Sequence, residues 1–150
     1  MKKIFNASGR MLVLAITMMF ISTVAHAQEG AVAVDKICIA FGNMTKQVSA
    51  ITSIEELDNI DFTKSIMDAG IEDISDDCQY YVLKAEDKKK IVLSVNKMID
   101  AMSAKGSNLT GGTVTKAQMD EYLAPFKTKF RDAINNSTTL GNLLQRMSNM

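Results

Sequence analysis

The apolar residues that follow Gly30 recur every three or four positions, the spacing of one face of an α-helix. They occupy Val34, Ile37, Phe41, Met44, Val48 and Ile51. Because each step is three or four residues, these side chains lie on one stripe that can face a core. The pattern predicts a long first helix over about Ala31–Ile51.

Two later segments keep the same spacing and predict two more long helices. The first runs from Cys78 to Lys105, although a short strand at Tyr80–Leu83 before a helix from Lys84 is a competing interpretation. The second contains Met119, Leu123, Phe126, Phe130 and Ala133. Pro125 lies inside this second segment and has no N–H to donate, so we expect a kink there or a break after Ala124.

Short helices are expected between and after the long ones. The segment Ser53–Glu56 forms a capping box that predicts a short helix with Leu57 and Ile60 inward. A second short helix is expected over Phe62–Ala69, ended by Gly70. A last one carries Leu140, Leu143, Leu144 and Met147, after the polar run Asn135–Thr139 has broken the preceding helix.

These elements predict an all-α fold, most simply a small antiparallel bundle of three longer helices with short helices added. Thr115–Gln118 is a further capping box, which places the start of the third long helix after the loop Gly106–Thr113. The shared spacing predicts that one core contains six residues from the three long helices: Phe41, Val48, Val92, Ile99, Phe126 and Phe130.

The first 27 residues have the three parts of a cleavable export signal. Lys2, Lys3 and Arg10 give a positive start, Met11–Ile21 is apolar, and Ala25–Ala27 matches an A-x-A cleavage site. We therefore predict a signal peptide over residues 1–27 and a single helical domain over 28–150, periplasmic or secreted. An uncleaved membrane anchor is the alternative, but the apolar run is short for a bilayer. No second run of that kind follows, so no stable membrane insertion is expected after cleavage.

Removing this leader changes the charge balance and the chemistry that remains. The whole chain has 17 basic and 17 acidic residues, and loss of the leader leaves 14 basic residues and a net charge near −3. Nucleic-acid binding needs clustered positive charge, so we predict none. Leader residue His26 is the sole histidine. The mature chain therefore lacks the base of Ser-His-Asp and Cys-His sites, and we predict no cofactor and no metal.

The mature chain contains two cysteines, Cys38 and Cys78. An even number of cysteines in an exported protein favours a disulfide. A Cys38–Cys78 bridge would close about 40 residues and stabilise the fold by about 4 kcal/mol. Two buried thiols are the alternative interpretation.

The densest carboxylate group comprises Asp68, Glu72, Asp73, Asp76 and Asp77. Two of these could serve as an acid/base pair in hydrolysis, or several could hold calcium. The group lacks the spacing of an EF-hand loop. A solvated connection that caps the following helix is the favoured interpretation.

The hypothesis that these observations favour is a non-enzymatic exported protein that binds a protein or another envelope component. We expect the loop Gly106–Thr113 to take part in contacts, since loops vary without disturbing a core. Two alternatives stay open. One is a carboxylate-dependent hydrolase that uses Asp68–Asp77. The other is a carrier that holds a small apolar ligand among core Met and Phe side chains.

Overall fold

In a computed structural model, residues 30–53, 55–56, 61–71 and 76–149 are described. They are mostly helical, as the all-α prediction requires. In chain order the elements are α1 (Gly30–Ala50), α2 (Phe62–Met67), a 3-10 helix (Asp76–Tyr80), α3 (Ala85–Leu109), α4 (Lys116–Asn135) and α5 (Leu140–Ser148). The predicted signal peptide lies outside the described residues, as do Leu57 and Ile60.

The three longer helices form the bundle, with α3 packed against both α1 and α4. Helices α3 and α4 are antiparallel, because Lys88 near the start of α3 reaches the carbonyl of Asn135 at the end of α4. Helices α1 and α3 run parallel instead. The Lys90 ammonium lies 3.3 Å from the Asp35 carboxylate. Further along both helices, Lys105 donates to the carbonyl of Ile51, just after the end of α1.

The parallel arrangement follows from the path of the chain between α1 and α3. Gln47 of α1 donates to the Asp61 carbonyl and to the Ser65 hydroxyl, both at 2.6 Å. Nearer the start of α1, Lys36 donates to the Gly70 carbonyl at 2.8 Å. The connection thus returns along α1 in the opposite direction, so α3 begins beside the start of α1.

The core lies between α1, α3 and α4 and is closed by α5. Phe41 and Phe130 meet edge to face, with ring centroids 6.0 Å apart at 87°. Val48 and Ile99 are buried in the same cluster, and the partly buried Val92 and Phe126 pack against it. The prediction that these six residues share one core is confirmed. Buried residues of the short last helix join it: Leu140, Leu143 and Met147.

The predicted helix from Cys78 to Lys105 is wrong at its start. Residues Asp76–Tyr80 form the 3-10 helix, the next four residues are not helical, and α3 begins only at Ala85. The Asp87 carboxylate accepts a hydrogen bond from the Lys84 N–H at 2.9 Å and so caps α3 at that point. Val82 forms an isolated antiparallel bridge with Thr139, which agrees better with the competing strand interpretation.

Helix α4 continues through Pro125, so the predicted break after Ala124 is wrong. Pro125 is exposed, while Leu123 before it and Phe130 after it are both buried. Burial of both halves of the helix against the same core offsets the hydrogen bond that proline removes.

The predicted helix ends agree with the structure at two other places. The Thr115 hydroxyl accepts from the Gln118 N–H, so the capping box starts α4 as expected. Gly70 follows α2 with a φ of 67°, the left-handed conformation that glycine adopts most readily. The predicted loop Gly106–Thr113 is shorter than expected, because α3 continues to Leu109 and Gly106 is buried within it.

None of the described helices combines the length and the apolar character needed to cross a membrane.

Candidate functional site

The two cysteines lie apart, so the predicted Cys38–Cys78 disulfide is wrong. Cys38 is half-buried on the side of α1 that faces Ser94 of α3. Cys78 is buried in the 3-10 helix. Both residues adjoin the same core cluster, but their sulfurs are not within bonding distance of each other.

The environment of Cys38 also makes it a poor nucleophile. Burial raises the pKa of the Cys38 thiol above its ordinary value, and the hydrogen bond with Ser94 only partly opposes this. Because the thiolate is the reactive form, the side chain is protonated and slow to react at neutral pH.

Thiol labelling checks both statements. Protein unfolded without reductant should take up two equivalents of maleimide per chain, because neither sulfur is held in a disulfide between Cys38 and Cys78. In the folded protein, alkylation of Cys38 should be slower than that of an exposed cysteine and should accelerate as the pH rises. Absence of labelling in the unfolded, unreduced chain would contradict this expectation and indicate that the two cysteines form a disulfide.

The structure tests the acidic group only in part. The Asp68 carboxylate is exposed and lies 2.8 Å from the Lys64 ammonium one helical turn away. Glu72 and Asp73 lie outside the described residues, and of Asp76 and Asp77 only the backbone is described, in the 3-10 helix. The acidic site therefore stays a prediction. In the described ranges, no three metal-ligating side chains form a group that could hold an ion.

The described polar side chains of the interior are used to hold the fold. The fully buried Ser103 hydroxyl donates to the Asp120 carboxylate at 2.5 Å and so joins α3 to α4. The Lys116 ammonium binds the same carboxylate and, with Ser103, lowers the pKa of Asp120. Although serine, aspartate and lysine occur together here, Ser103 is sealed from solvent and cannot attack a substrate.

The described surface has a second kind of feature, an extended edge with two apolar side chains in solvent. We call Tyr80–Lys84 the edge segment, in which Tyr80 is the last residue of the 3-10 helix and the four residues after it are not helical. Tyr80 is 74% exposed and Val82 is 66% exposed. Leu83 is buried and Tyr81 half-buried, whereas Val82 and Lys84 are exposed. This alternation is typical of a strand with one face on a core and the other in water.

The hydrogen bonds of the edge segment fix the direction of its backbone groups. The Leu83 N–H donates to the Thr138 carbonyl at 3.0 Å, and the Leu140 N–H donates to the Tyr81 carbonyl at 2.9 Å. These two bonds flank the bridge between Val82 and Thr139. In an antiparallel pair of this type, the N–H and C=O of the central residue point away from the partner strand. Neither group of Val82 is bonded to any described residue.

Buried contacts hold the edge segment in place. The Tyr81 hydroxyl donates to the Asp87 carboxylate at 3.0 Å, and its ring covers Gly30 so closely that a Cβ there would lie 2.0 Å from Cγ of Tyr81. Burial and this hydrogen bond raise the pKa of Tyr81, so the phenol keeps its proton and remains a donor. The edge is therefore anchored to the starts of both α1 and α3.

The other exposed apolar side chains lack this combination of backbone and side-chain groups. The large ones lie on helices: Val32 and Ile39 on α1, Met67 on α2, Leu93 on α3 and Tyr122 on α4. Inside a helix, beyond its end turns, the backbone N–H and C=O groups are bonded internally. Single exposed apolar residues of this kind are ordinary on protein surfaces.

Sequence reasoning missed the edge segment as a functional candidate. Its one signal was the competing strand interpretation of Tyr80–Leu83, in which Tyr80 and Val82 proved to be exposed. The expected contact loop retains an exposed turn at Gly111–Thr113, and its role in contacts stays a prediction.

No protein-family model matches the chain, and no curated protein or solved structure is significantly similar to it.

Proposed function

We propose that the chain is an exported, non-enzymatic helical protein that binds another protein of the bacterial envelope or the extracellular space. The observation that carries this proposal is the anchored edge segment, which presents Tyr80, Val82 and unbonded backbone groups to solvent. Exposed apolar groups beside backbone donors and acceptors are typical of surfaces that bind proteins.

The export part of the proposal is supported by the leader pattern in residues 1–27. The non-enzymatic part is supported by the use of the described interior polar groups. Asp87 caps α3, Ser103 joins α3 to α4, and Ser65 binds Gln47 of α1. Each of these groups has a structural partner that explains why it is buried.

Capture of a partner tests the proposal. The mature chain, immobilised through its C-terminus, should retain the same protein from solubilised envelopes in independent preparations. The purified partner should then bind the purified chain in solution with a measurable Kd. Recovery of no reproducible partner from either envelopes or culture medium would contradict the proposal.

A triple variant separates binding from carboxylate chemistry. Replacing Asp73, Asp76 and Asp77 by Asn should leave the Kd for that partner within about twofold, because the proposed binding groups are Tyr80 and Val82. Loss of the biological activity in this variant, with an unchanged melting temperature, would favour the hydrolase or a calcium site instead.

A further inference from the structure

We propose that Val82 pairs through its backbone with one residue of an extended segment in the bound protein. This inference rests on the proposed function and names the chemistry of the partner. The N–H and C=O of Val82 lie on the side away from Thr139, where a second strand could pair with them. A peptide in extended conformation has a backbone C=O and N–H that can pair with the N–H and C=O of Val82. In a helical partner these backbone groups are bonded within the helix.

The side chains around these groups define what the segment contains. Val82 is exposed and apolar and can cover an apolar side chain of a bound strand, and Tyr80 at the end of the 3-10 helix is exposed two residues earlier. Lys84 is exposed two residues after Val82 and therefore points to the same face as Val82 in an extended chain. Further along, Glu86 and Lys89 are exposed while Lys88 is bonded to the Asn135 carbonyl, so Lys84 is the positive group of the edge segment itself. The complementary segment has apolar residues at alternate positions and a carboxylate near Lys84.

The local structure favours such pairing because little has to move. The edge segment is already bonded to Thr138 and Leu140, and Tyr81 is fixed by Asp87. Binding therefore requires ordering of the incoming segment only. Pre-organisation of one partner reduces the entropy that association costs. The pairing covers one residue of backbone, so affinity depends on the apolar and charged contacts beside it.

Selection from a library of random twelve-residue peptides displayed on phage tests the inference with the mature chain as bait. Enriched peptides should alternate apolar residues and carry Asp or Glu. A synthetic peptide of the enriched sequence should shift the amide NMR signals of residues 80–84. The variant Val82→Pro lacks the outward N–H and keeps every hydrogen bond that the fold uses, so it should bind that peptide at least tenfold more weakly. The matched control Leu93→Ser alters an exposed aliphatic residue on α3 and should not change the affinity.

A second measurement guards against damage to the fold by proline. A peptide methylated on the backbone nitrogen that faces the Val82 carbonyl should also bind the unaltered protein at least tenfold more weakly. Equal binding of the methylated and unmethylated peptides would overturn the inference, as would NMR shifts confined to the outer face of α1. The inference would also be overturned if no peptide were enriched and the chain formed a dimer that Val82→Pro dissociates. That result would show that the edge segment binds a second copy of the chain.

The two proposals fail in different ways. A captured envelope protein that binds Val82→Pro as tightly as the unaltered chain leaves the proposed function intact and removes this inference. Absence of any reproducible captured protein removes the proposed function itself.

Discussion

Replacing Phe130 by Ala is expected to lower the free energy of unfolding by about 3–5 kcal/mol. The Phe130 ring is buried at the centre of the bundle, where it meets the edge of Phe41 at a centroid distance of 6.0 Å. Its removal leaves a cavity that the three long helices cannot easily close. Since a domain of this size is stable by only about 5–15 kcal/mol, a large part of the chain should then be unfolded at modest temperature. Urea denaturation followed by circular dichroism measures the loss.

Phe126→Ala is the matched control for this substitution. Phe126 lies one helical turn earlier on α4 and is only half-buried. Its truncation should cost about 1–2 kcal/mol. A loss below about 1 kcal/mol for Phe130→Ala, or equal losses for both variants, would show that the core is not centred on the pair Phe41 and Phe130.

The second large effect is expected from Asp87→Ala, at about 2–3 kcal/mol of unfolding free energy. The Asp87 carboxylate is buried and accepts hydrogen bonds from the Tyr81 hydroxyl and the Lys84 N–H. Its loss removes the cap of α3 and leaves two donors without an acceptor. Amide hydrogen exchange of the bonded N–H groups of Tyr81, Leu83 and Lys84 should accelerate more than that of the α3–α4 contact, because the edge segment depends on Asp87 directly.

Two neighbouring variants make the Asp87 result specific. Glu86→Ala changes an exposed carboxylate on the same turn and should alter stability by less than about 0.5 kcal/mol. Tyr81→Phe removes one of the two hydrogen bonds and should cost about 1 kcal/mol. Exchange rates of Tyr81, Leu83 and Lys84 that are the same in Asp87→Ala and in the unaltered protein would contradict the anchoring role.

The helices could be predicted because their signals are local. The spacing from Val34 to Val48 lies within one helix, and the capping box at Thr115 lies within four residues. The core residues follow from the same stripes, since each helix has one apolar face to bury.

The parallel arrangement of α1 and α3 could not be predicted in the same way. It depends on side chains of α1, such as Lys36, that bind backbone carbonyls of the returning connection. Because every residue has a backbone carbonyl group, the sequence does not indicate which carbonyl a lysine such as Lys36 will bind. The disulfide prediction failed for the same reason, because the distance between Cys38 and Cys78 depends on the direction in which that connection runs.

The extended conformation of the edge segment depends on one local feature of the sequence and on one contact with residues far along the chain. Alternation of buried and exposed residues covers only Tyr81–Lys84, too few positions to outweigh the helical pattern that begins beside them. Pairing with Thr138–Leu140 keeps these residues extended, and this contact lies far along the chain. The sequence pattern therefore predicts that Val82 is part of a helix, whereas in the structure it lies exposed in the edge segment.

Photo-crosslinking in intact cells that export the chain tests the central claim most directly. Tyr80 is replaced by p-benzoylphenylalanine in one variant, and Tyr122 on the surface of α4 is replaced by the same residue in the control. Binding through the edge segment predicts one discrete crosslinked protein from position 80 and none from position 122, with the position-80 product lost on addition of Val82→Pro. No product from position 80, or the same product from both positions, would contradict an exported protein that binds its partner through this edge.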